Sequence, residues 1–157
     1  MVSVDRPGFE LPFLLIGAFR SLIDELHREL AEAGHPDVRP VHGFALQAVG
    51  TDGATASELG RRLGVSKQAA AKTAAGLVAL GYLEEQHEAG DRRTRPLRRT
   101  PRGEACLATS AEIFERLRRS WVAELGADRV AALEDDLQTV NRAAGTTTLG
   151  DLPGWLR

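Results

Sequence analysis

The chain has a single cysteine, Cys106, in 157 residues, and it has no long hydrophobic run. One cysteine excludes an internal disulfide framework and fits a reducing compartment, so a cytoplasmic location is expected. The longest apolar run, Leu11 to Phe19 (LPFLLIGAF), falls far short of the roughly 20 residues needed to cross a bilayer. It follows Asp5, Arg6 and Glu10 and leads into an amphipathic pattern, which argues against a signal peptide. The four histidines, His27, His35, His42 and His87, are scattered without close metal-ligand spacing, so neither a metal site nor any other cofactor is expected. There is no Gly-rich phosphate loop, no nucleophile–base arrangement and no pair of carboxylates in a usable context, so the chain does not read as an enzyme.

The charge that is present is unevenly placed. Net charge is −2, from 20 basic and 22 acidic residues. Between Arg61 and Arg102, however, ten basic residues meet four acids, which gives +6 there and leaves −8 for the rest of the chain. Six of the ten are Arg92, Arg93, Arg95, Arg98, Arg99 and Arg102, with Asp91 the one acid among them. A basic segment on an acidic body is the electrostatic footprint expected of nucleic-acid binding.

The periodicity is helical over most of the chain. Leu15, Phe19, Leu22, Leu26 and Leu30 form one apolar face, widened by Leu14, Ile16 and Ile23, before Gly34 and Pro36 close the helix. A short helix is predicted over Pro40–Val49, ended by the turn residues Thr51 to Gly53. Thr55 followed three residues later by Glu58 makes a capping box, and Gly64 suits a left-handed helix end. Only Val65 then precedes the next N-cap, Ser66, so two short helices form a helix-turn-helix. In the second of these, Ala70, Thr73, Leu77 and Leu80 are predicted to face inward. Lys67, Gln68, Ala71, Lys72 and Ala75 face outward, and no acid occurs from Ser66 to Leu83. Low bulk, hydrogen-bond donors and freedom from carboxylates are what a helix needs to enter the major groove.

YLEEQHE, from Tyr82 to Glu88, can pair antiparallel with TRPLRRT, from Thr94 to Thr100, as a two-stranded ribbon with EAGDRR as its turn, and Pro96, which lacks an N–H, is expected on its open edge. Thr100 and Pro101 read as N-cap and first residue of a long helix, with Ile113, Phe114, Leu117, Trp121 and Leu125 on its apolar face. Gly126 ends that helix, Asp128 is positioned to cap the last one, and Val130, Leu133, Leu137 and Val140 are expected to be its buried side.

The stretch ASELGRRLGVSKQAAAKTAAGLVALGYLE followed by GDRRTRPLRRTPRG resembles the MarR (multiple antibiotic resistance regulator) family of winged helix-turn-helix transcriptional regulators. The likeness covers about Leu11 to Asn141. Asp91-Arg92-Arg93 with Thr100-x-x-Gly103 is similar to the family's wing signature, although Arg99 and Pro96 stand where apolar residues are usual. The resemblance implies a mainly α fold with a small β-wing. Residues 10–34 and 101–145 would be dimerisation helices, 40–100 the winged helix-turn-helix, and 146–157 a C-terminal tail. It further implies a homodimer that binds double-stranded DNA at a pseudo-palindromic operator, acting as a repressor released by a small-molecule effector.

On this reading Ser66, Lys67, Gln68, Ala71, Lys72, Arg92, Arg93 and Arg95 contact DNA, and Asp91 orients a wing arginine. Arg98, Arg99 and Arg102 are phosphate neighbours or intramolecular partners. Arg39, His42 and Phe44 are candidates to line an effector pocket. The alternative left open is a winged helix used only for protein–protein contact or dimerisation.

Overall fold

The computed structural model describes residues 6–86 and 95–145. It contains six helices and one small sheet in the order α1 (Glu10–Glu32), α2 (Pro40–Val49), α3 (Ala56–Leu63), α4 (Lys67–Ala79), β1 (Leu83–Glu85), β2 (Leu97–Arg99), α5 (Pro101–Leu125) and α6 (Ala127–Ala143). The fold is therefore mainly α with a two-stranded antiparallel ribbon, as expected.

Local chemistry sets most of the boundaries. Thr55 Oγ1 accepts from the Glu58 N–H at 3.2 Å while the Glu58 carboxylate accepts from the Thr55 N–H at 2.8 Å, so the capping box is complete. The Thr55 N–H, and then the Thr55 hydroxyl at 3.0 Å, donate to the Glu58 carboxylate and hold its pKa below the usual value. Gly64 adopts φ 65°, ψ 33°, and the Val65 N–H reaches the Gly60 carbonyl at 2.9 Å, which turns the chain sharply into α4. Ser66 caps α4 by accepting from the Ala69 N–H at 3.1 Å. Thr100 caps α5 by accepting from the Gly103 N–H, with Pro101 at the first helical position. Gly126 alone separates α5 from α6, so Asp128 lies within the first turn rather than at the cap.

Leu26 and Leu30 of α1, Leu46 and Val49 of α2, Leu59 of α3, Ala70 and Leu77 of α4, Tyr82, Leu83 and Leu97 at the ribbon, and Cys106 and Ile113 of α5 form one core. Two expectations about burial change. The first half of α1 leaves Phe13, Leu14 and Leu15 exposed, and only Val130 of the four apolar α6 positions is buried, with Val140 63% exposed. The helices themselves form as the period predicts. A single chain has too little core to cover both the start of α1 and the far face of α6, so those stripes face outward.

The ribbon also differs from expectation. Leu83 pairs with Arg99 and Glu85 with Leu97, which puts Gln86 opposite Pro96. The Gln86 N–H donates to the Pro96 carbonyl at 2.9 Å. That carbonyl and the proline nitrogen point to the same side, so the missing N–H faces β1 and ends the pairing there, rather than lying on the open edge. The other edge of β2 is taken instead: Leu97 exchanges two backbone hydrogen bonds with Ala54, at 2.8 and 3.0 Å. This third pairing ties the wing base to the N-terminus of α3.

Candidate nucleic-acid interface

The outer face of α4 is as predicted. Lys67, Gln68, Ala71, Lys72 and Ala75 are exposed, while Ala70, Ala74 and Leu77 pack into the core. Ser66 is committed to its capping role yet stays exposed at the end of the helix that faces outward. Across from α4, Arg95 is half exposed and its guanidinium pairs with Glu85 at 3.1 Å. Asp91, Arg92 and Arg93 lie outside the described residues.

Between α4 and the ribbon runs an open groove of about 410 Å³. Lys67, Ala71 and Ala75 form one wall, Glu85, Arg95 and Leu97 the other, and Thr55 to Ser57 at the start of α3 close one end. Cationic side chains thus line both walls, and the alanines keep the space between them clear. Sequence reasoning did not include Thr55 to Ser57 or Glu85 in this site. The capping box was visible as a helix start, but its place beside α4 depends on the Ala54–Leu97 bridge, which has no local signal.

The remaining arginines divide cleanly. Arg98 is exposed, whereas Arg99 is directed inward, with its side chain only 10% exposed. Its Nε donates to the Leu46 carbonyl at 2.8 Å and another nitrogen meets Glu104 at 3.3 Å. Arg102 covers the Tyr82 ring, with its guanidinium carbon 4.7 Å from the ring centroid, and donates to the Tyr82 hydroxyl at 3.2 Å. That hydroxyl lies 2.8 Å from Nδ1 of the buried His35. Arg99 and Arg102 are thus intramolecular partners, which removes two of the six arginines from any role with a ligand at the groove.

A second, largely apolar cavity of about 310 Å³ lies where α1, α2 and α5 meet. Leu26, His27, Phe44, Gln47, Ser110 and Phe114 are among its lining residues. Of the three residues expected to line an effector pocket, Phe44 does so. Arg39 lies on the surface, and its backbone N–H donates to His42 Nδ1 at 3.1 Å at the start of α2; neither residue lines the cavity. Burial, then the nearby Arg39 charge, depress the His42 pKa. Cys106 is buried beside the core, and burial raises its thiol pKa, which fits an unreactive packing residue. No helix among the described residues is long and apolar enough to cross a membrane.

Residues 37–94 match the model of the MarR family. No curated protein matches the chain. Among solved structures, the chain resembles Streptococcus pneumoniae FabT in complex with DNA, with a TM-score of 0.73 and 15% identity over 88% of this chain and 98% of that one. It resembles Escherichia coli MarR in its apo form at a TM-score of 0.65 and 23% identity, over 87% and 98% of the two chains. It also resembles the PcaV transcriptional regulator of Streptomyces coelicolor in complex with its natural ligand, at 0.62 and 23%, over 92% and 99%. The family model thus matches residues 37–94, and the chain as a whole shares the fold of these solved winged-helix structures.

Proposed function

We propose that the protein is a sequence-specific DNA-binding transcriptional regulator of the MarR type. The observation that carries this reading is the exposed, acid-free face of α4, which presents Lys67, Gln68 and Lys72, with Lys67 set across an open groove from Arg95. Gln68 and the lysines suit base edges and phosphates in the major groove, while Arg95, with Arg92 and Arg93 beyond the described residues, would follow the backbone or the adjacent minor groove. Asp91 keeps its proposed role of orienting a wing arginine, and Glu85 already does this for Arg95.

The similar structures of FabT with DNA and PcaV with its ligand support operator binding and effector control here. The chain would act in the cytoplasm as a homodimer, because the exposed apolar stripes on α1 and α6 need a cover and a second copy supplies an identical pair. Two recognition helices related by a two-fold axis then read a pseudo-palindromic site. Release of a repressed promoter would follow from a small molecule entering the cavity between α1, α2 and α5.

A salt titration of binding to genomic DNA fragments enriched on the purified protein tests this. Affinity must fall steeply as salt rises, because each neutralised phosphate contributes about 0.9 to the logarithmic slope. Absence of binding at low salt would instead favour a winged helix used for protein contact alone.

A further inference from the structure

Helix α2 ends at Val49, so the carbonyls of Leu46, Ala48 and Val49 have no helical partner one turn further on, while Gln47 O accepts from the Gly50 N–H at 3.1 Å. All four accept from arginines that belong to other elements. Arg99, on β2 of the wing, donates Nε to Leu46 O at 2.8 Å and a second nitrogen to Gln47 O at 3.4 Å. Arg62, on α3, donates to Ala48 O at 2.7 Å and to Val49 O at 3.4 Å. Two guanidinium charges thus sit at the negative end of the α2 dipole, where cations are favoured. Arg99 is further fixed by Glu104 at the start of α5. Its position at the end of the second wing strand has a structural reason: the guanidinium spans from that strand to the end of α2.

The same helix carries part of the cavity wall. Pro40, Gly43, Phe44 and Gln47 line it, and Gln47 offers its backbone carbonyl to Arg99. This short helix therefore borders the cavity and holds both the wing and the helix-turn-helix by its C-terminal carbonyls. We propose that Arg62 and Arg99 are positioning residues, not DNA contacts, which lock α3 and the wing to α2 and carry any displacement of α2 at the cavity to the DNA-facing groove. Filling the cavity from the α1 side and shifting α2 must then either drag β2 and α3 along or break these charge-assisted bonds. The effect on DNA rests on the regulator reading above; the clamp itself does not.

The test uses the full-length protein with Arg99→Met and Arg62→Met, which keep much of the apolar stem but remove the donors. Binding is measured on a mixed-sequence DNA duplex over a range of salt, and amide hydrogen exchange is followed on the same samples. Each variant should bind about fivefold or more weakly with an unchanged salt slope, because neither arginine neutralises a phosphate. Exchange should accelerate together in the last turn of α2 and in β2 (Arg99→Met) or α3 (Arg62→Met), and not in α6. Arg99→Lys, which retains one donor for Leu46 O, should recover part of the affinity.

A slope reduced by about 0.9 would make the residue a phosphate contact and overturn the proposal. Unchanged affinity and exchange, or exchange accelerated uniformly over the chain, would overturn it as well. If the wild type binds no DNA, the regulator reading fails, and the local exchange pattern alone decides whether the clamp exists. If Arg99→Met does not fold, Arg62→Met, whose side chain is more exposed, carries the same test.

Discussion

Gly103 sits in the first turn of α5, directly against the backbone at the base of the wing. A Cβ built there would lie 2.3 Å from the Tyr82 carbonyl oxygen and 3.5 Å from Leu46 Cδ2. The first obstacle is main chain and cannot rotate away. The gap must open by about 0.7 Å merely to reach the 3.0 Å limit that real Cβ atoms respect. Two bonds close to that approach have little slack: Thr100 N–H to Tyr82 O at 3.1 Å and Gly103 N–H to Thr100 Oγ1 at 3.1 Å. Breaking one backbone bond costs about 1 kcal/mol, breaking the cap about another 1 kcal/mol, and the better helix propensity of alanine returns up to about 1 kcal/mol. Residual strain of about 1 kcal/mol leaves Gly103→Ala destabilised by roughly 2 kcal/mol.

For a chain of this size that corresponds to a fall in Tm of about 4–8 °C by differential scanning calorimetry. Gly76 supplies the control. It lies inside α4, and nothing stands within 4 Å of a Cβ there, so Gly76→Ala should raise stability by up to about 1 kcal/mol. The two substitutions must therefore differ in sign. Should Gly103→Ala melt at or above the wild-type temperature, the close approach of α5 to the wing base would not be a real constraint.

Thr55→Ala removes the acceptor for the Glu58 N–H and should cost about 1 kcal/mol in chemical denaturation, with Glu58→Gln costing less. Lys67→Ala and Lys72→Ala change exposed side chains; melting should stay within about 0.5 kcal/mol of wild type while the salt slope for DNA falls by about 0.9 for each phosphate that is no longer neutralised. His35 should make stability fall in acid. Burial first, then the Arg102 charge, hold its pKa below the ordinary value. Because Arg102 donates to the Tyr82 hydroxyl, that hydroxyl's proton is free to point at His35 Nδ1, which must be unprotonated to accept it. The unfolded chain takes up the proton first. This contribution is therefore complete above the unfolded histidine pKa of about 6.5 and is lost as pH falls through the folded value. Tm measured from pH 8 down to 5 should drop more for wild type than for His35→Gln; parallel curves would remove His35 from the account.

Much of this architecture was legible in the sequence because its causes are local. The Thr55–Glu58 box, Gly64, the Ser66 cap and the Thr100–Pro101 start each act within about one helical turn, so spacing alone carried them. The face division of α4 was also legible, since the 3.6-residue period separates Leu77 from Lys72 wherever the helix packs. The charge asymmetry pointed to the proposed interface, but it could not sort the arginines. Arg95 and Arg99 are four residues apart with the same chemistry; one is half exposed beside Glu85, the other turned onto the Leu46 carbonyl, 53 residues away in the chain. Arg95 precedes β2, whereas Arg99 ends it within reach of the α2 C-terminus, and that approach of α2 is encoded by no local pattern.

The sequence by itself therefore determined the helices, their caps, the ribbon and the basic face, because those follow from short-range hydrogen bonding and hydrophobic period. Tertiary structure alone decided which edge of β2 Ala54 would occupy, which apolar stripes on α1 and α6 a single chain would leave uncovered, and where the ends of the long side chains went. Those outcomes depend on how much apolar surface one core can cover and on which orphan carbonyls come within reach of a guanidinium. Both are properties of segments distant in the chain.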